Sequence, residues 1–167
     1  NIYSFPLDVR NESKTNEIFK NIIEKFQNID ICVFCTGIHD PVAEKKLSTE
    51  TMRKIMETNF FGAVLLSRAV LPHMRERGCG YIIQVSSLSG LAGLPGDFSY
   101  TASKFALEGA TEAMRHEVDR WGIKVALVEA GMYATGIMNA TVYNGTVVPD
   151  YYADDSPYRP LIETKLS

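Results

Sequence analysis

Three short apolar stretches, Ile29–Cys35, Tyr81–Ser86 and Ile123–Glu129, recur along the chain with helix-length segments between them. Each is too short for an ordinary helix and is bounded by turn formers, so each reads as a buried strand. The intervening segments carry the helical period. From Asn11 to Gln27, Ile18, Phe19, Ile22, Ile23 and Phe26 form one stripe, with Asn11 and Glu12 suited to the start. Ser48 opens a further helix with Glu50 in its first turn. A long helix is expected from near Asn59 to Arg77, with a kink at Pro72 and a stop at Gly78. Another runs from Tyr100 to Trp121, capped at its start by Ser99 and at its end by Gly122. Its Leu107, Ala110, Met114, Val118 and Trp121 recur at three- and four-residue steps. Ile2–Phe5 adds a short strand ahead of the first helix. Strands separated by helices of this length predict an α/β fold whose parallel sheet is covered on both faces.

The 167 residues, 46% of them apolar, suit one domain with a substantial core. A net charge of −3, with both signs interspersed and no basic cluster, argues against nucleic acid or a membrane surface as partner. The apolar region from Phe60 to Leu71 is too short and interrupted to span a bilayer. The first residues carry no signal-peptide pattern, and the expectation is a cytoplasmic protein. Cys32 and Cys35 have redox or metal spacing, but on a strand residues three apart point to opposite faces, and no second Cys/His pair lies nearby. No metal is expected. Cys79, His39, His73 and His116 read as surface or packing residues, and the sequons at Asn11, Asn139 and Asn144 carry no functional reading.

Chemistry enters at Tyr100-Thr101-Ala102-Ser103-Lys104. A tyrosine and a lysine four apart share one face of a helix. A free phenol has a pKa near ~10, and bringing it near ~7 requires about 4 kcal/mol. One cation at ~4 Å in a partly buried site supplies about that much, which would make a proton donor and acceptor that works at neutral pH. Taken alone, such a pair is more readily an inert exposed contact. Its surroundings add weight. Ser87 ends the Tyr81–Ser86 strand, and Gly90, Gly93, Pro95 and Gly96 make the loop that follows. A serine at a strand end and a tyrosine at the next helix start can converge above one sheet edge, where ligands bind in open α/β sheets.

Three motifs in order resemble the short-chain dehydrogenase/reductase family: N-x-x-G at Asn59–Gly62, I-x-x-x-S-S-x-x-G ending at Gly90, and Y-x-A-S-K at 100–104. The wording around Gly90–Gly96 and Lys104–Gly109 is closest to its 17β-hydroxysteroid and retinol dehydrogenase branch. The resemblance implies a Rossmann-like, doubly wound parallel sheet, here partial and beginning at the family's third strand. It implies NAD or NADP as cofactor and a small alcohol or ketone as substrate. Tyr100 would exchange a proton with the substrate oxygen, and Ser87 would hydrogen-bond it. Lys104 would lower the phenol pKa and hold the nicotinamide ribose, and Asn59 would anchor a relay water. Asp8 and Val9, Thr36 and Gly37, and Gly131 and Thr135 would line the cofactor, together with Tyr100 and Lys104. A homodimer or homotetramer of the full-length protein is implied as well.

The chain also departs from that pattern. Nothing in residues 1–28 matches the family's opening glycine-rich turn, which holds a pyrophosphate on backbone N–H groups. Phe34-Cys35-Thr36-Gly37 stands where the family has N-N-A-G, and Ala130 replaces a proline before Gly131. Residues 1–138 match the catalytic core. Residues 139–167, rich in Tyr, Asp and Pro, are a substrate-covering loop by resemblance or a surface tail. The 167 residues alone are expected to be poorly stable and to bind dinucleotide weakly. An oxidoreductase is the first reading. A non-catalytic remnant serving as an interaction or dimerisation module is the second, and a sugar-nucleotide epimerase or dehydratase the third. The apolar loop from Leu88 to Leu94 points to a hydrophobic substrate.

Overall fold

The computed structural model describes residues 1–40, 47–93 and 96–131. Helix α1 spans Glu12–Phe26, and Asn11 caps it by accepting from the Lys14 amide. Strand β1 follows at Ile31–Phe34. Helix α2, Thr49–Met56, starts at Ser48, whose hydroxyl accepts from the Thr51 amide. It runs without a break through a π-helical turn, Glu57–Phe61, into α3, Gly62–Arg77. The long helix expected from near Asn59 is therefore a longer assembly with a widened turn around Asn59. Pro72 lies inside α3, which continues to a left-handed Gly78. Strand β2 spans Gly80–Val85, and a short 3-10 turn occupies Leu88–Gly90. Helix α4 spans Phe98–Val118 and ends in a second 3-10 turn and a left-handed Gly122, and strand β3 spans Ile123–Val128.

The strands form one parallel sheet in the order β1-β2-β3, with Ile31 beside Tyr81 and Ile82 beside Val125. Parallel neighbours need long crossovers, and α2 with α3, then α4, supply them. One face of the sheet builds the core. Cys32, Phe34, Ile82 and Ile123 pack with Phe19 of α1, Val70, Leu71 and Met74 of α3, and Val118 of α4. Buried Gln84 donates from Nε2 to the Ser67 hydroxyl at 2.8 Å, which donates in turn to the Ala63 carbonyl. This satisfies a donor that burial would otherwise leave costly.

Three expectations are corrected. No described helix covers the opposite face, where Ile31, Val33, Tyr81 and Val128 are 59%, 58%, 55% and 45% exposed. The strands are apolar on both sides, as parallel strands are, but the described elements cover only one. Ile2–Phe5 forms no strand, because no described strand lies beside it. It is held instead by side chains: Tyr3 meets Phe26 edge-on at 4.9 Å between centroids, under the Lys25 ammonium. Finally, α4 is not capped by Ser99. It begins two residues earlier, at Phe98 after Asp97, and Ser99 is buried in its first turn.

Candidate active site

The carboxyl ends of β1 and β2, the π-helical turn and the first turn of α4 meet at one edge of the sheet. Asn59, in the π-helical turn, ties the loop after β1 to the start of α4. Its Oδ1 accepts from the Ile38 amide at 2.8 Å, and its Nδ2 donates to the Ile38 carbonyl at 2.9 Å and to the Ser103 hydroxyl at 3.1 Å. The Ser103 hydroxyl donates to the Tyr100 carbonyl at 2.7 Å. A polar side chain in mid-helix is ordinarily unfavourable. Here it is buried, and both its donors hold the loop after β1 against the turn that carries Tyr100.

Lys104 is 4% exposed and donates from Nζ to the Val85 carbonyl, at the end of β2, over 2.9 Å. Its ammonium lies 5.6 Å from the centre of the Tyr100 ring. Burial holds its pKa below the ordinary lysine value. Burial also pushes the Tyr100 phenol upward; a hydrogen bond with Ser87 pulls it back, and Asp97 and Cys35 add to the rise. The expected acidic phenol is thus not what this arrangement produces. The ammonium donates to a backbone carbonyl, and desolvation is the largest effect on the phenol. Tyr100 is a protonated group poised beside Ser87. The Ser87 hydroxyl also accepts from the Ser89 amide at 3.2 Å, which fixes the turn above β2. That turn is joined to the end of β3, since Leu88 donates to the Ala130 carbonyl at 3.1 Å.

Gly37 leaves an opening between these groups. A Cβ there would stand 3.6 Å from Asn59 Oδ1 and 3.9 Å from Lys104 Nζ, so the glycine keeps clear the approach to both. Beyond it lies a cavity of about 660 Å³ lined by Pro6, Leu7, Asp8, Val9, Arg10, Thr36, Ile38, Lys54 and Thr58. Asp8 forms an exposed ion pair with Arg10, Oδ2 to NH2 at 2.7 Å, which holds its carboxyl at about 2. Thr36 and Ile38, on either side of Gly37, line this cavity, whereas Ser87, Tyr100 and Lys104 do not. Gly131 sits near Leu88 Cδ1, whereas Thr135 and residues 139–167 lie outside the described residues.

Two residues at this edge carried no sequence signal. His39 Nε2 and Asp97 Oδ1 are 2.7 Å apart, and their side chains are 10% and 4% exposed. The His39 ring tilts against the Tyr100 ring, 4.7 Å between centroids. His39 is a packing residue, and the ring it packs against is that of the candidate proton donor. The 58 residues between the partners hid the pairing, and only Asp97's place three residues before Tyr100 hinted at it. The histidine at position 73 does serve packing, accepting weakly from the Ile29 amide at 3.4 Å. Cys32 is buried and Cys35 exposed, so the two thiols point apart as expected. No group of three or more His, Cys, Asp or Glu that could hold a metal is found among the described residues.

A parallel sheet with a Ser, a Tyr and a Lys converging at its carboxyl edge defines a dinucleotide-type α/β protein. A sequence profile of the short chain dehydrogenase family matches residues 1–144, and the chain belongs to that family. It is 37% identical over 166 residues to the uncharacterized oxidoreductase YusZ of Bacillus subtilis (strain 168), covering 99% of this chain and 58% of that protein. It is 37% identical over 149 residues to the 3-ketodihydrosphingosine reductase of Bacteroides thetaiotaomicron, covering 89% of this chain and 55% of that one. A short-chain dehydrogenase from Streptomyces avermitilis superposes with a TM-score of 0.76 at 32% identity, over 80% of this chain and 50% of that one. ElxO with NADP bound superposes with a TM-score of 0.75 at 32% identity, over 77% of this chain and 52% of ElxO. The chain therefore spans between half and three fifths of the length of these relatives.

Proposed function

We propose that the protein is an NAD(P)-dependent oxidoreductase acting on an alcohol or ketone, with Tyr100 as its proton donor and acceptor. The observation that carries this reading is the meeting of Tyr100 and Ser87 beside buried Lys104, behind the opening at Gly37. A bound nicotinamide would supply or accept the hydride at the substrate carbon. In the reducing direction Tyr100 gives its phenolic proton to the carbonyl oxygen as the carbon is reduced. The Ser87 hydroxyl donates a hydrogen bond to the same oxygen and stabilises the charge that develops there. Lys104 would hold the ribose side, with its ammonium 5.6 Å from the centre of the Tyr100 ring. Both Asn59 donors bind protein atoms, so a relay water would be held at the second lone pair of its Oδ1. Asp8, Val9, Thr36 and Gly131 would line the rest of the dinucleotide.

A protonated Tyr100 is the form that can donate to a carbonyl oxygen. The exposed Leu88 and Leu91 beside Ser87 support a hydrophobic substrate, as does the similarity to a 3-ketodihydrosphingosine reductase. The exposed Phe61, Phe98 and Phe105 on the two long helices support self-association of the full-length protein. No described helix is long and apolar enough to cross a membrane. The test is NAD(P)H consumption by the full-length protein with a panel of apolar ketones. No turnover with either dinucleotide, despite dinucleotide binding, would leave only the non-catalytic reading.

A further inference from the structure

We propose that His39, held by Asp97, is a positioning residue for Tyr100. This rests on the oxidoreductase reading above for its catalytic consequence, but not for the contact itself. Asp97 directly precedes α4, and aspartate at that place ordinarily accepts from the helix's first amides. It makes no such side-chain bond. Its backbone carbonyl accepts from the Thr101 amide at 2.7 Å, while its carboxylate reaches across to His39. The carboxylate is therefore diverted from capping its own helix to orienting a ring on the loop after β1. That loop is itself fixed, because Asn59 holds both the amide and the carbonyl of Ile38, the residue before His39. The His39 ring is thus set from both sides and lies against the Tyr100 ring.

The result is a two-point mount for the phenol. Ser103, bonded to Asn59, takes hold of the Tyr100 backbone, and His39, bonded to Asp97, bears on its ring. Proton transfer is steep in donor–acceptor distance, so a small tilt of the ring costs rate without weakening the dinucleotide site. Among the described residues, the charged and titratable groups facing Tyr100 are Lys104, Asp97, His39 and Cys35, with the Ser87 hydroxyl beside them.

The experiment uses full-length protein carrying ¹³Cζ-tyrosine, with Tyr100→Phe to assign the resonance. His39→Leu removes the ring and the Asp97 bond, Asp97→Ala removes the anchor, and Asp97→Asn restores a hydrogen-bonding partner. His39→Leu and Asp97→Ala are each expected to move the Tyr100 resonance and lower kcat about tenfold or more, with dinucleotide affinity changed less than about threefold. Asp97→Asn is expected to recover most of the rate lost in Asp97→Ala. The proposal is overturned if the resonance stays put in His39→Leu, or if kcat and dinucleotide affinity fall together in all variants. If the wild-type protein shows no turnover, the oxidoreductase reading fails by itself, and the resonance still decides whether His39 sets the phenol.

Discussion

The Lys104 ammonium donates to the Val85 carbonyl, joining the helix that carries the candidate proton donor to the end of the central strand. The lysine is buried and the carbonyl half-buried. Lys104→Met is expected to leave the carbonyl unsatisfied and cost about 1–3 kcal/mol of stability, seen as a lower midpoint in thermal or urea unfolding. Dinucleotide affinity in the full-length protein should fall with it. An unchanged midpoint would mean that water or another group takes over the carbonyl.

Tyr100 should titrate above the free phenol value of about 10 in the protein without dinucleotide, because burial raises it more than Ser87 lowers it. The sign follows from charge: burial disfavours the phenolate, so the proton is kept to higher pH. The ultraviolet difference between wild type and Tyr100→Phe as pH rises measures this directly. In turnover, reduction should be flat across neutral pH, and oxidation should still climb in the alkaline range, since it needs the phenolate. A midpoint near neutrality would restore the acidic phenol that the Tyr-Lys spacing suggests.

Tyr100→Phe removes one oxygen and keeps the ring against His39. Turnover should drop by about a hundredfold or more, the scale of general acid catalysis, with thermal stability nearly unchanged. Undiminished turnover would assign the proton donor elsewhere.

Asn59→Ala deletes the partner of both backbone groups of Ile38 and of Ser103. Several buried groups then go unpaired, and a loss of about 2–4 kcal/mol is expected. Asn59→Asp keeps the shape and the acceptor for the Ile38 amide but loses both donors, so it should fall between wild type and Asn59→Ala. Denaturant unfolding of the three proteins ranks them.

Gly122 joins α4 to β3 at a φ of 69°, and a Cβ there would lie 2.5 Å from the Gly78 carbonyl oxygen. Backbone cannot yield as a side-chain tip can, and a left-handed φ already disfavours alanine. Gly122→Ala is expected to destabilise by about 2 kcal/mol or more. The φ of Gly78 is similar at 70°, but nothing lies within 4 Å of its added Cβ. Gly78→Ala should therefore cost only the conformational part, about 1 kcal/mol, and the two midpoints measured side by side separate strain from collision.

Much of the fold is written locally. Apolar runs between turn formers marked all three paired strands to within about two residues. Asn11, Ser48, Gly78 and Gly122 marked helix ends, because caps act within one turn of chain. Tyr100, Lys104 and Ser87 could be picked out because helical spacing and a strand end place them without any long-range contact. The start of α4 was misjudged: the chain turns at Gly96, with a φ of 76°, and Asp97 rather than Ser99 meets the helix.

What the linear order determined by itself is therefore the element sequence and the short-range pairings, whose energies are set by neighbours three or four residues away. Packing decided the rest. Tyr3 found Phe26 rather than a strand partner, the phenol of Tyr100 was raised by burial rather than lowered by its lysine, and His39 met Asp97 across half a domain. Desolvation and contacts between distant segments depend on which surfaces the fold brings together, and no window of sequence contains that information.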